Sequence, residues 1–149
     1  METEIELMHI TYNNLSIDSR IAEYPSSGAF VYFAGVVRNI NEGKKVQFLE
    51  YEAYEQLAER EIKKILKEAL EKWKLDFVDA IHRLGRLELS EIAVIVSTAS
   101  EHRSEAYEAN RYIIDRIKFE VPIWKKETFS DGVSEWSKGC THGLAHDHH

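Results

Sequence analysis

A chain of 149 residues, 44% hydrophobic and 30% charged, is long enough for one domain with its own core, without metal or disulfide staples. A single cysteine, Cys140, excludes an intramolecular disulfide framework and a cysteine-only metal site. The net charge of −7 argues against nucleic acid or an anionic membrane as partner, since both need a basic surface. Three Trp, seven Tyr and six Phe argue against disorder. With no apolar signal core and no run of about 18 apolar residues, the expected compartment is the cytoplasm.

In chain order, Glu4 to Ile10 alternates well enough for a first strand. Ser16 or Asp18 is placed to cap a short helix through Tyr24, and Pro25-Ser26-Ser27-Gly28 is a turn. Residues 29–38, AFVYFAGVVR, are almost continuously apolar, β-branched or aromatic, which predicts a central strand buried on both faces. Arg38 stands where that strand surfaces, before the polar loop Asn39 to Gly43. Strand ends of this kind are common places for a site. Val46 to Tyr54 alternates as a second strand, and residues 55–73 form an amphipathic helix. Its stripe is Ala58, Ile62, Ile65, Ala69 and Trp73, and its lysines and glutamates read as a solvated face. Phe77 to Leu89 predicts strand, Gly85 turn, strand, with His82-Arg83 read as structural; Ile92 to Val96 is another buried strand.

The stretch from Glu101 to Glu127 concentrates groups able to handle an anion. Thr98 or Ser100 is expected to cap the next helix, Thr98 with Glu101 as a capping box, placing His102 and Arg103 in its first turn. Free N–H groups and the helix dipole favour an anion there. Ala106, Ala109 or Asn110, Ile113 and Ile117 form the core stripe, and Pro122 ends the helix just after Lys118. Lys118 has an ordinary role available, as a cation complementing the helix C-terminus. In the extended run after Pro122, Lys125 and Glu127 face one side and Trp124 and Lys126 the other. His102 and Lys118 are 16 residues apart, about 24 Å along a helix. If both serve one small ligand, a second copy must supply one of them, so a homodimer with composite sites is expected.

These runs also occur in a known order. GVVR (residues 35–38) is followed by LEYEAY (49–54), HRLGRLELSE (82–91), SEHRSEAYEA (100–109), IKFEVPIWKKE (117–127), then Asp131-Gly132 and Trp136. Over roughly residues 5 to 137 the chain resembles the large, catalytic subunit of molybdopterin synthase. The resemblance implies an α+β fold of the α/β-hammerhead type, with mixed and antiparallel sheet and two main helices. A single catalytic domain is expected over 1–137, with 138–149 a flexible His-rich tail. The implied activity is sulfur transfer from the C-terminal thiocarboxylate of a small ubiquitin-like subunit to cyclic pyranopterin monophosphate. The product is the dithiolene of molybdopterin, in molybdenum-cofactor biosynthesis. The implied assembly is a heterotetramer around a homodimer of this chain.

Carried onto this sequence, Lys118 and Lys125 correspond to the catalytic pair. Arg38, His102 and Arg103 correspond to substrate contacts, with Lys126 and Glu127 close by. A phosphate-bearing substrate and an anionic partner terminus both call for a cationic pocket. No metal and no resident cofactor are expected, and Cys140 on the tail is a poor sulfur carrier. The alternative is a non-catalytic dimeric binding module for a phosphorylated small molecule, which would need the anion contacts but not the two lysines.

Overall fold

The structure, a computed structural model, describes residues 8–17 and 24–138. Residues 4–7 of the expected first strand, positions 18–23 of the expected short helix, and Cys140 with the His-rich tail lie outside the described residues. Among the described residues the chain forms two sheets and two helices, the α+β arrangement expected.

The first sheet has the order β1-β5-β7-β2, made of β1 (Ile10–Thr11), β5 (Phe77–Arg83), β7 (Ile92–Ser100) and β2 (Ala29–Val36). Only the β1–β5 pair is parallel. The second sheet runs β3-β4-β8-β9, from β3 (Ile40–Asn41), β4 (Lys44–Ala53), β8 (Ile123–Phe129) and β9 (Ser134–Lys138), with the short β6 (Gly85–Leu87) also paired to β4. The turn between β5 and β6 lies at Gly85, whose φ of +90° is a left-handed value that favours glycine.

Helices α1 (Glu55–Lys72) and α2 (Arg103–Glu120) pack on one face of the first sheet. The stripe read from residues 55–73 is the buried one: Ala58, Ile62, Ile65 and Ala69 are fully inaccessible, with Trp73 packed at the margin. Each large aliphatic side chain buried here contributes about 1.5–3 kcal/mol. A second cluster, Val37, Val46, Leu49, Leu87, Ala93 and Phe129, fills the second sheet, and Tyr51 packs against both clusters.

Two local expectations are corrected. The apolar run 29–38 is not the central strand: β7 is flanked on both sides, whereas β2 lies at the sheet edge and is only half-buried. Its aromatic character serves the face away from α2, where Phe30 stacks near Tyr32, Tyr24 and Phe77. Nor do Thr98 and Ser100 cap α2. Strand β7 continues to Ser100, paired with Ala29, and the N-cap position falls to His102, which makes no side-chain cap bond. The two hydroxyls work elsewhere, Thr98 Oγ1 donating to the Ala106 carbonyl at 2.7 Å and Ser100 Oγ to that of Lys74 at 2.9 Å.

Asn110 locks α2 to the sheet. It is buried, and its Nδ2 donates to the carbonyls of Val96 at 3.0 Å and Val31 at 3.1 Å, on two adjacent strands. Asn110→Ala removes these bonds and leaves a void, and is expected to destabilise the fold by about 2–3 kcal/mol. Urea denaturation should show a lower midpoint at unchanged slope. A change below about 0.5 kcal/mol would mean that the amide does not hold the helix in place.

Candidate active site

A cleft with a cavity volume of about 170 Å³ opens at the seam between the two hydrophobic clusters. Both contribute walls: Val46, Leu49 and Ala93 from one side, Ile114, Ile117 and Ile123 from the other. The space is many times what one ordered water needs.

Three elements deliver cations to it. Arg38 follows β2, where the pairing with β7 slips between Gly35 and Val36. The next residue, Val37, is fixed by its N–H to the Glu91 carbonyl at 3.0 Å and by its carbonyl to the Ser90 N–H at 2.8 Å. The anchored Val37 leaves Arg38 exposed at the cleft. Gly35 is needed for close approach, because a Cβ there would stand 2.9 Å from Val94 Cγ1. Lys118 occupies the last turn of α2, which closes with the Val121 N–H on the Ile117 carbonyl at 3.2 Å before Pro122. Lys125 comes from β8, where strand alternation turns Ile123, Lys125 and Glu127 inward.

Glu127 is the carboxylate of the site. It is 6% exposed, and Asn41 Nδ2 donates to its two oxygens at 2.9 and 2.8 Å, reaching across from β3. Burial lowers the proton affinity of Lys125 below that of a free lysine; Glu127 opposes this, and Lys118 and Arg38 add to it. Tyr51, opposite Lys125 in the β4–β8 register, is pushed up to about 12 by burial and then by Glu127, so it stays protonated. The arrangement can bind an anion, and it offers an amine that sheds its proton more readily than usual.

His82 is the cavity residue that sequence reasoning took for structural. It lines the cleft at 7% exposure, its Nδ1 donating to the Arg83 carbonyl at 2.8 Å and its ring edge-on to Tyr51 at 4.8 Å. Its position in a predicted strand gave no sign of this, since the wall it joins is built from β4, α2 and β8. Asn41 and Tyr51 were missed for the same reason. Burial lowers the imidazole pKa from 6.5 to about 4, the Arg83 carbonyl opposes the change and Lys118 adds to it. The unfolded chain therefore binds the extra proton between those values. Stability should be full above about pH 6.5, fall through that window, and have lost about 3 kcal/mol below about pH 4. His82→Gln should flatten this part of the stability profile in denaturant titrations; an unchanged profile would assign the acid loss to other groups.

The remaining sequence candidates lie elsewhere. Lys126 is on the outer face of the second sheet, 4.0 Å from Glu50 and 5.7 Å from the Trp136 ring centroid. His102 and Arg103 are exposed at the opposite end of α2, His102 Nε2 lying 3.2 Å from Glu101 Oε1. Lying 16 and 15 residues before Lys118 on α2, they are separated from it by about 22–24 Å. The structure thus brings together Arg38, Lys118, Lys125 and Glu127, and leaves His102, Arg103 and Lys126 outside the cavity of the same chain.

Known proteins share this sequence and fold. The family model described as MoaE protein matches residues 10–120. The molybdopterin synthase catalytic subunit of Bos taurus is 41% identical over 139 residues, covering 92% of this chain and 74% of that protein. The protein of the same name from Staphylococcus carnosus is 48% identical over 112 residues, covering 75% and 74%. The crystal structure of molybdopterin synthase from Staphylococcus aureus superposes with a TM-score of 0.78 at 39% identity, covering 90% of this chain and 98% of that one. By family model, by identity over most of its length and by fold, the chain belongs to the MoaE family.

Proposed function

We propose that this chain is the catalytic subunit of a molybdopterin synthase. It moves sulfur from the C-terminal thiocarboxylate of a small ubiquitin-like subunit to cyclic pyranopterin monophosphate, forming the dithiolene. The observation that carries the reading is the convergence of Arg38, Lys118 and Lys125, from three separate elements, on one cavity whose carboxylate is buried against Asn41. Its curated relatives carry the same name over most of their length.

The chemistry follows from the charges. Two anions, a thiocarboxylate and a phosphate ester, must approach each other, and their repulsion is offset by fixed cations in a site walled by apolar side chains. Arg38, with a planar fork of donors, suits the phosphate. Lys118 and Lys125 act at the reacting carbons, by charge and by proton transfer or attack, Lys125 being the readier to lose a proton. Glu127, bonded to Asn41, supports the charged form of Lys125 through its field, and Lys126 serves the rim. His102 and Arg103 complete the substrate contacts of the neighbouring copy in a homodimer, the core of a heterotetramer. Residues 1–137 are the catalytic domain and 138–149 a His-rich tail. No helix among the described residues is long and apolar enough to cross a membrane, and the proposed site of action is the cytoplasm.

The test is the reaction itself. The purified chain, a thiocarboxylated small subunit and the cyclic pterin phosphate should yield molybdopterin, read as its fluorescent oxidation product. No product with a demonstrably competent partner would leave a dimeric binding module instead. A finer measurement addresses Lys125. If it works as a free amine, turnover rises with pH through its lowered pKa, and Glu127 is what holds that pKa up. Glu127→Gln should move the rising limb of kcat to lower pH; an unmoved limb would remove Lys125 as the titrating group.

A further inference from the structure

His82 is held more firmly than a wall residue requires. Its backbone N–H donates to the carbonyl of His9, just before β1, at 2.8 Å, and its other side pairs with Val94 of β7. The ring is fixed by the Nδ1 bond to Arg83 and by the Tyr51 edge contact. With Nδ1 carrying the proton, Nε2 is left as a lone-pair acceptor on a ring that lines the cleft. Lys118, by contrast, is an exposed four-carbon chain at a helix end, with no ion pair among the described residues. Glu127, the only carboxylate among the described residues lining the cleft, is turned to Asn41.

We propose that His82 is a positioning residue of the sulfur-transfer site, a neutral imidazole whose Nε2 accepts a hydrogen bond from the Lys118 ammonium and holds it at the cleft. His82 and Lys118 line the same cleft and are not hydrogen-bonded to each other in this structure, so the bond forms when the exposed lysine chain turns inward. The inference rests on the sulfur-transfer reading for its consequence. A neutral acceptor has a specific advantage here. It orients the ammonium without cancelling its charge, whereas a carboxylate in that place would neutralise the field that attracts the two anions. The imidazole must stay uncharged to accept, and its surroundings favour this: the Tyr51 phenol from β4, Val94 from β7, and the cations Lys118 from α2 and Lys125 from β8. Protonation of the ring would turn acceptor into donor and set it against Lys118.

Two arms test this. In the first, ¹⁵N spectra of the full chain at pH 7 should show His82 as the Nδ1–H tautomer, with an Nε2 resonance that moves in Lys118→Ala. The Nε2–H tautomer, or an Nε2 resonance indifferent to that substitution, overturns the proposal without reference to activity. In the second, kcat and KM are compared for wild type, His82→Gln and His82→Leu, each checked for folding by circular dichroism. His82→Leu should lose roughly 10- to 100-fold in kcat with KM within about twofold, the size expected for a misplaced reacting group. His82→Gln, whose side-chain oxygen can accept in place of Nε2, should retain most of kcat. Equal kcat for Leu and wild type, or equal losses for Gln and Leu, also overturns it. Should wild type itself make no molybdopterin, the sulfur-transfer reading fails while the spectroscopic arm still decides the contact.

Discussion

Replacing Lys118 with alanine is expected to lower the turnover of sulfur transfer by about 10²- to 10⁴-fold and leave the fold intact. The side chain is exposed in the last turn of α2, so its structural contribution is limited to complementing the helix dipole. That is worth about 0.3–1 kcal/mol at an exposed position. A large loss of rate with a melting temperature shifted by only a few degrees therefore separates chemistry from stability. The loss should fall on kcat more than on KM, because Arg38, the proposed phosphate contact, is left in place. Lys118→Arg tells charge from proton transfer. A guanidinium preserves the positive field and cannot shed a proton, so an inactive arginine variant implies transfer or attack by the amine. Wild-type turnover in Lys118→Ala would leave the lysine as a helix-end cation and move the burden to Lys125, which is half-buried and lowered in proton affinity by that burial.

The second large effect concerns assembly. If His102 and Arg103 of one copy complete the cleft of the other, Arg103→Ala and Lys118→Ala should each be nearly inactive alone and active when mixed. Random reassortment makes about half of the dimers mixed, each with one intact site and one doubly defective site, so about a quarter of wild-type activity should return. Activity that stays at the level of the parents after verified subunit exchange would show that Arg103 and Lys118 do not serve sites on different copies. The premise is geometric. Both ends of α2 carry cations, yet the helix between them puts them about 22–24 Å apart, farther than a single pterin phosphate reaches. Within one chain Arg103 is a solvated residue whose position at a helix N-terminus runs against the dipole.

Much of the fold was legible locally. The stripe of α1 and that of α2 are encoded at helical spacing, and Pro122 ends α2 whatever surrounds it. The alternation that turns Lys125 and Glu127 inward and Lys126 outward is a property of any extended chain, so it was readable before any partner strand was known. The placing of β2 was not readable. A continuous apolar run is the same whether a strand is central or lies at an edge with an aromatic open face, and only the pairing of β7 with both β5 and β2 decided it. The capping of α2 was misjudged because Thr98 and Ser100 have tertiary partners, Ala106 and Lys74, that outcompete a local cap.

The same division runs through the site. The sequence by itself determined the charged groups, the strand parity that selects Lys125 over its neighbour, and a helix too long for its two ends to meet on one ligand. Their order along the chain pointed to the family. Only the tertiary structure decided that Arg38, Lys118 and Lys125 share a cleft, that Asn41 reaches Glu127 across 86 positions of sequence, and that His82 is a neutral wall of the same cavity. Such facts depend on burial and on distances between elements far apart in the chain. Periodicity and local propensity carry information over one helix or strand, whereas the field at Lys125 is set by how far water has been excluded and which charges have been brought near it.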